Sequence, residues 1–196
     1  GEDTIDASAS GVQQILDGGE GSDTITGGTG DDIISMGMTQ DFSATDGDND
    51  VLILEDGFGN DSIEGFEVPS DLGGGSFSGN DQVDVSGLTD TGGDPVNTGD
   101  VTVTDTNGDG TGDAILTFPN GESITLFGVL ASEVDSPAQL QAMGIPAEPV
   151  TINDAILLDA IPGGTDTLTS GSELLSVSDG LNFDLATAGS LNIGDT

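Results

Sequence analysis

The chain lacks every basic side chain: its 196 residues include 37 Asp and Glu but no Lys, Arg or His. The formal charge of -37 therefore has no side-chain counter-charge, and salt bridges between side chains are excluded. Such a chain repels itself in water, and a composition with few aromatic residues is typical of disordered proteins. The acidic residues lie in spaced motifs rather than blocks, however, which favours a folded chain neutralised by cations. Carboxylate and carbonyl oxygens suit the hard ion Ca²⁺.

Cysteine is also absent, which excludes disulfides and thiolate metal sites. No apolar run approaches the roughly 20 residues of a membrane span, and no signal peptide is present at Gly1. We therefore expect a mature product or a fragment without a transmembrane segment. Calcium is abundant outside cells, so an extracellular or cell-surface location is expected. Nucleic acid and anionic membranes would repel the chain unless calcium bridged them, so no nucleic-acid partner is expected.

The missing residue types also bear on catalysis. Without His, Cys, Lys, Arg or Tyr, the chain has no nucleophile–base pair, Schiff-base lysine or cationic transition-state clamp. A carboxylate pair could hydrolyse glycosides, but no Trp or Tyr is present to stack against a sugar. The sequence therefore predicts that this chain is not an enzyme.

A repeat of about nine residues occupies the first part of the chain. Two adjacent copies, 18–26 and 27–35, fit the pattern G-G-x-G-x-D-x-U-x, where U is a large aliphatic residue. A third copy at 56–64 departs at its first Gly, and partial copies occur at 1–5 and 79–83. Gly-rich turns expose carbonyl oxygens and the Asp adds a carboxylate. One copy alone would be interpreted as an ordinary turn, but adjacent full copies indicate a calcium-binding repeat.

The repeat also predicts a core. Each D-x-U triplet is expected to form a short strand whose aliphatic side chain points inward. Such residues recur at Ile5, Ile15, Ile25 and Ile34, at intervals of ten, ten and nine. We expect these four side chains to form one narrow column, with Ile15 on a degenerate turn.

These repeats resemble the RTX nonapeptides of secreted bacterial proteins, from Gly1 to Leu88, and the stretch from Asp56 to Leu88 is similar to the segment that closes their roll. The resemblance implies an all-β fold, a parallel β-roll with Ca²⁺ bound between successive Gly-rich turns. The period is lost between Gly37 and Asn49, where an inserted loop or distorted turn is expected. The implied carboxylate ligands are Asp23, Asp32 and Asp61, with Asp3 and Asp81, and the implied carbonyl ligands are Gly19, Gly21, Gly28, Gly30 and Gly59.

A second kind of candidate site lies at 105–113. Oxygen-bearing side chains occupy loop positions 1, 3, 5 and 9 and a Gly occupies position 6, as in a helix–loop–helix calcium loop. Position 12 is Leu116 instead of Glu, and the flanking segments 101–104 and 114–118 resemble strands. The sequence thus predicts a β-hairpin clamped by calcium, with an ion-free Gly/Asp turn as the alternative. The candidate ligands are Asp105, Asn107, Asp109 and Asp113.

A weaker acidic cluster precedes the apolar run 51–54. Asp46, Asp48 and Asp50 alternate along the chain. Closely spaced carboxylates favour a cation, although an ion-free turn accounts for the pattern equally well.

One α-helix is expected near the end of the first 146 residues. Ser136-Pro137-Ala138-Gln139 forms a capping box with Pro at the first helical position, and Gly144 follows the last turn. A turn at 119–122 leads into a strand at 123–127, and the helix is expected to cap the open end of the β-structure.

The region 101–146 resembles the segment that precedes a Hint self-processing domain in marine bacterial RTX proteins. In those relatives a cysteine nucleophile follows an Ile-Pro pair, whereas Ala147 follows Ile145-Pro146 here. No self-splicing chemistry is therefore implied for this chain.

The sequence predicts three parts: a calcium roll at 1–92, the hairpin and capping helix at 93–146, and a linker and C-terminal β-module at 147–196. Short apolar runs such as 155–158 and 173–177 alternate with Gly/Asp/Ser turns in the last part.

The expected function is that of a secreted calcium-binding structural protein. The lack of catalytic residue types and the strand-rich modules favour self-assembly into a homo-oligomer or polymer. Such an assembly would be an extracellular fibre, surface layer or biofilm matrix. The alternative is a non-catalytic adhesin segment, or a secretion and folding module of a larger RTX exoprotein.

Overall fold

The structure is a computed structural model that describes residues 1–37 and 45–149, together with the backbone of two strands nearer the C-terminus. The chain divides into two units, Gly1–Glu148 and Pro149–Thr196. The described residues are mostly β-strand with one short α-helix, in agreement with the expected class. The finer division at residue 92 stays a prediction.

The first sheet of unit 1 is parallel throughout, in the order β1–β3–β5–β9. Its strands are β1 (Thr4–Asp6), β3 (Thr24–Thr26), β5 (Val51–Glu55) and β9 (Gln82–Gly87). The first two are only three residues long. Gly-rich turns interrupt the chain on both sides of β3, whereas β1 is followed by the Ala/Ser segment 7–10.

The second sheet is mixed, in the order β10–β11–β12–β6–β4–β2. Its strands are β2 (Ile15–Asp17), β4 (Ile33–Ser35), β6 (Asn60–Glu64), β10 (Thr102–Asp105), β11 (Asp113–Thr117) and β12 (Ser123–Leu130). Strands β2, β4, β6 and β12 are parallel, whereas β10, β11 and β12 form an antiparallel meander. The predicted hairpin is thus confirmed, and the strand expected to end at residue 127 continues to Leu130.

Strands β1 to β6 alternate between the two sheets. One repeat therefore places its strand in the first sheet and the next repeat places its strand in the second. Equivalent positions within one sheet lie two repeats apart, as shown by the pairing of Ile5 with Ile25 and of Leu16 with Ile34.

This alternation corrects the expected single column of Ile5, Ile15, Ile25 and Ile34. Ile15 is 79% exposed, and its neighbour Leu16 packs against the core instead. The register gives two columns because the repeats alternate between sheets. One column contains Ile5, Ile25, Leu52 and Val83, and the other contains Leu16, Ile34, Ile63 and Leu126.

The predicted helix is α1 (Pro137–Ala142), preceded by a 3₁₀ turn at Ala131–Glu133. Ser136 and Gln139 form the expected capping box, and Gly144 ends the helix with a φ of 97°. The backbone N–H of Val83 in β9 donates to Met143 O at 2.7 Å. Because β9 is the outermost strand of the first sheet, the chain that leaves α1 covers that edge, as expected for a capping element.

Two further strand pairs complete the described structure. A hairpin of β7 (Ser70–Gly73) and β8 (Ser76–Ser78) projects between β6 and β9, and unit 2 contains the antiparallel pair β13 (Thr165–Leu168) and β14 (Leu191–Gly194). The apolar runs at 155–158 and 173–177, and residues 38–44 of the expected irregular segment, lie outside the described residues. None of the described helices has the length and hydropathy required to cross a bilayer.

Candidate metal centre

The Gly-rich turns stack in two columns, one leading into each sheet. The first column contains the turns at 1–3, 18–23, 46–50 and 79–81, which precede β1, β3, β5 and β9. The second column contains the turns at 10–14, 27–32 and 56–61, which lead into β2, β4 and β6. Every Asp implied as a ligand by the resemblance lies in one of these columns.

Backbone-to-carboxylate hydrogen bonds connect the turns of the first column. Asp3 N donates to Asp23 Oδ1 at 2.7 Å, and Asp23 N donates to Asp50 Oδ1 at 2.7 Å. Asp50 N in turn donates to Asp81 Oδ1 at 2.9 Å, and Asp81 Oδ2 accepts from Glu67 N at 2.7 Å. Each carboxylate thus fixes the turn before it in the stack.

The second column repeats this arrangement. Gln14 N donates to Asp32 Oδ1 at 2.7 Å, and Asp32 N donates to Asp61 Oδ1 at 2.8 Å. Asp31 extends the contact between the same two turns, because its Oδ1 accepts from Asn60 N at 2.9 Å.

In two carboxylates of these columns, only one of the two oxygens has a hydrogen-bond partner among the described residues. Asp23 and Asp32 are each 1% exposed, and within the described residues neither Asp23 Oδ2 nor Asp32 Oδ2 has a hydrogen-bond partner. Both oxygens face a glycine of their own turn: a Cβ on Gly18 would lie 2.6 Å from Asp23 Oδ2, and one on Gly27 would lie 2.5 Å from Asp32 Oδ2. A buried, unpaired carboxylate oxygen is costly, so the geometry calls for a positive partner at both points.

Carbonyl oxygens approach the same region from the preceding turn. A Cβ on Gly28 would lie 2.7 Å from the carbonyl oxygens of Ala7 and Ser10, and one on Gly59 would lie 2.5 Å from Gly30 O. Gly21 and Gly30 likewise allow close approach of a preceding turn, whereas a Cβ on Gly19 would meet nothing within 4 Å. Four of the five glycines implied as ligands therefore lie where successive turns touch.

A small cavity lies between two turns of the second column. Its volume is about 20 Å³, and its lining includes the turn at 27–29 together with Asp56, Phe58 and Asp61. That volume holds about one water-sized particle. Neither Asp23 nor Asp32 lines this cavity. The donors available in the columns are all oxygens, which suit a hard cation such as Ca²⁺.

Burial also changes the acidity of these carboxyl groups. Desolvation raises the pKa of Asp50 to about 6, and it raises the pKa values of Asp61 and Asp81 to about 7. Neighbouring carboxylates add to the increase, whereas hydrogen bonds from backbone N–H groups oppose it. A bound cation would reverse this cost by favouring the charged form.

The acidic cluster at 46–50 does not act as one group. Asp50 is buried within the first column, whereas Asp48 is exposed. Asp46 joins the column differently, because its Oδ2 accepts from Gly21 N at 3.1 Å. Across the part of the chain that the structure describes, no three acidic side chains converge on one point. A cation in the columns would therefore need backbone carbonyls as well as carboxylates.

In the hairpin loop, backbone N–H groups of the loop itself donate hydrogen bonds to the Asp105 carboxylate. Asp105 Oδ1 accepts from Asn107 N at 3.0 Å and Asp109 N at 3.2 Å, while Oδ2 accepts from Gly110 N at 3.1 Å. Desolvation acts to raise the pKa of Asp105, but the backbone N–H groups together outweigh it and lower that pKa. Asp113 Oδ1 accepts from Gly128 N in β12 at 2.9 Å. Hydrogen bonds thus account for the loop's shape, and calcium in this loop stays a prediction.

The groups that close the second column at its far end could not be identified from the sequence. Glu122 Oε1 accepts from Gly57 N at 2.6 Å, and Asp56 Oδ1 accepts from Thr89 N at 2.9 Å. Glu122 follows Gly57 by 65 residues and lies outside any repeat, so no periodic signal identifies it. Only the parallel pairing of β12 with β6 brings the two segments together.

Comparison with known proteins adds no family assignment, because neither the known family models nor the curated proteins give a match to this chain.

Proposed function

We propose that the chain is a secreted, RTX-type calcium-binding structural protein whose stacked turns form a parallel β-roll around bound Ca²⁺. The observation that carries this proposal is the pair of buried oxygens, Asp23 Oδ2 and Asp32 Oδ2, which face Gly-rich turns without a hydrogen-bond partner among the described residues. Each lies in the repeat position that the RTX pattern assigns to a carboxylate ligand.

In this proposal calcium supplies what the sequence lacks. The chain has no basic side chain to offset its acidic groups, and the carboxylates of Asp50, Asp61 and Asp81 are buried. A cation bound between turns would stabilise the charged carboxylates and link the turns. Since the unfolded chain has no preformed site, the free energy of calcium binding contributes directly to folding. The protein then folds in calcium-rich surroundings outside the cell.

The role that fits this chemistry is structural rather than catalytic. The chain offers no nucleophile–base pair, and its acidic groups serve turn contacts. Self-association into a fibre, surface layer or matrix is supported by the sheet edge at β1, the outermost strand of the first sheet. Open edges can pair with another chain, and calcium would screen the repulsion between copies.

One observation favours the alternative, a non-catalytic adhesin segment or folding module of a larger exoprotein. The opposite edge of the first sheet, β9, is covered by the chain that follows α1. Head-to-tail growth through the first sheet needs two open edges, and only β1 is uncovered among the described residues of that sheet.

A calcium titration followed by circular dichroism tests the shared part of both proposals. We expect a largely disordered chain in excess chelator and β-structure after calcium is added in millimolar amounts, with magnesium as the control ion. Magnesium should be less effective because it requires a more rigid octahedral shell. Unchanged β-structure in excess chelator would contradict the proposed function.

The two roles differ in the state of the calcium-loaded protein. Light scattering and electron micrographs should show filaments or sheets for a self-assembling structural protein. Monodisperse particles at high protein concentration would favour the non-catalytic module and exclude assembly by this chain alone.

A further inference from the structure

We propose that the first turn of the second column, residues 10–14, is an end-stop that prevents another calcium-binding turn from stacking on that side. This inference builds on the proposed calcium function, because it concerns which turns can share an ion. The end-stop is made by Val12 and Gln14, which replace the Gly and Asp of the later turns.

The sheet register defines which residues are equivalent. Ile15 pairs with Ile33, and Ile33 pairs with Ser62. Counting back three residues from each aligns Val12 with Gly30 and Gly59, and counting back one aligns Gln14 with Asp32 and Asp61.

Val12 blocks the surface on which a preceding turn would pack. A Cβ on Gly30 would lie 2.6 Å from the backbone carbon of Val12, and a Cβ on Gly59 would lie 2.5 Å from Gly30 O. Each turn in this column therefore packs so closely on the preceding turn that it needs Gly at this position. Val12 has a branched side chain at this position and is 68% exposed. A turn placed before it with the same spacing would collide with that side chain.

Gln14 removes the second requirement for stacking. Asp32 and Asp61 each accept the backbone N–H of the preceding turn through Oδ1. Gln14 has no carboxylate, and its amide Nε2 donates to Val12 O at 3.0 Å and to Gln13 O at 3.1 Å. The side chain thus pairs with carbonyls of its own turn and provides no charge for a cation.

The first column lacks such a stop. Asp3 is in register with Asp23, because Thr4 pairs with Thr24, and Gly1 corresponds to Gly21. The Asp3 side chain is 63% exposed, and its charged neighbour is the α-amino group of Gly1, 3.9 Å from Oδ2. The two columns therefore differ at the same end of the stack: the first retains the Gly and Asp that a further turn requires, and the second does not.

The test adds one more pair of repeats to the full chain. Residues 18–35 are duplicated ahead of Gly1, followed by Gly-Gly-Glu so that the turn leading into Asp3 has full length. This extension is placed before the natural sequence and before a Val12→Gly/Gln14→Asp variant. Calcium stoichiometry is measured by native mass spectrometry, and protection of the β2 amides by hydrogen exchange.

In the natural background we expect the extension to add one bound calcium ion, through the first column, and to leave unprotected the amides on the outer edge of β2, which do not face β4. In the variant it should add two ions and protect β2. An equal gain of ions and equal protection of β2 in both backgrounds would overturn the end-stop. Leu72→Gly is the matched control for replacing an exposed apolar side chain with Gly. Leu72 is as exposed as Val12, but it lies in the β7–β8 hairpin, away from the stacked turns.

The variant without the extension checks folding, and it should show the same calcium-induced β-structure as the natural chain. If the unextended natural chain binds no calcium at all, the proposed function fails. The end-stop would still be tested in that case, because protection of β2 by the added strand is measured independently of the ions.

Discussion

The stacked turns at 18–23 and 27–32 and the hairpin loop at 105–113 are all rich in Gly and Asp, yet their carboxylates have different surroundings. In the stack, Asp23 and Asp32 are buried and each retains an oxygen without a partner among the described residues. In the hairpin, Asp105 is only partly buried and both of its oxygens accept backbone N–H groups. Composition alone therefore does not identify a calcium site.

The difference arises from where the backbone donors come from. A hairpin loop curls around its own Asp, so local N–H groups reach both oxygens. In the stack, Asp23 and Asp32 each accept one backbone N–H from the preceding turn, as when Gln14 N donates to Asp32 Oδ1. At Asp23 and Asp32 the second oxygen then has no hydrogen-bond partner among the described residues, and a cation could bind there.

The largest effect is expected where two turns touch. Gly30→Ala adds a Cβ only 2.6 Å from the backbone of the preceding turn, whereas Gly11→Ala adds one 3.6 Å from Thr29 Oγ1, an ordinary contact. We expect Gly30→Ala to destabilise the calcium-loaded protein by about 3 kcal/mol, as overpacking does, and Gly11→Ala to have little effect. Denaturant unfolding in calcium measures both, and equal stabilities would show that the turns are not closely stacked.

A smaller loss should follow from removing one charge at the unpaired oxygens. Asp32→Asn retains the shape and the acceptor for Gln14 N but removes the charge that favours a cation. We expect calcium affinity to fall at least about tenfold, or about 1.4 kcal/mol. Asp109→Asn in the hairpin is the matched control and should leave the affinity of the stack unchanged. Calorimetric titration distinguishes the two, and an equal loss in both variants would remove the contrast between the regions.

A change in pH should affect the stability of the two regions in opposite directions. In the metal-free protein, burial raises the pKa values of Asp61 and Asp81 to about 7 from an ordinary 3.8. The folded state then binds these protons more tightly than the unfolded state, so their contribution is complete below about pH 4 and is lost as pH rises towards 7. Asp105 has a lowered pKa, so its contribution is present above its ordinary pKa and is lost as pH falls.

We therefore expect the chelated chain to contain more β-structure at about pH 5 than at about pH 8. Calcium should reverse this trend, because it requires the deprotonated carboxylates. Circular dichroism at both pH values, with and without chelator, measures the effect. A chelated chain that becomes more structured as pH rises would contradict the buried state of Asp61 and Asp81.

The smallest effect is expected in the hairpin. Asp105→Ala removes the acceptor for three backbone N–H groups, so the loop should lose order and the thermal midpoint should fall slightly. The fall should be the same with and without calcium if hydrogen bonds alone hold the loop. A fall that occurs only in calcium would support the ion predicted from the loop positions.

Local patterns predicted much of this structure. The Asp–x–aliphatic triplets predicted three-residue strands, which begin one residue later than expected, directly after Asp23 and Asp32. The loop at 105–113 became a hairpin, and Ser136 with Gln139 capped the helix. Each of these features is determined by residues that lie close together in the chain. A single sequence is therefore enough to predict it.

Contacts between distant residues were harder to predict. The alternation of repeats between two sheets placed Leu16, not Ile15, in the core, and a repeat read along the chain does not specify which sheet a strand joins. Asp50 was identified only as part of an acidic cluster, although register with Asp23 makes it a member of the first column. Glu122 was not identified, because only folding brings it to Gly57.

The most direct test is an anomalous difference map from crystals grown in calcium. If cations complete the stacked turns, peaks should appear next to Asp23 Oδ2 and Asp32 Oδ2, with carbonyl oxygens of adjacent turns about 2.3–2.6 Å from each ion. Ordered protein at both positions with only water or protein atoms beside these oxygens would contradict the proposal that calcium holds the stack together.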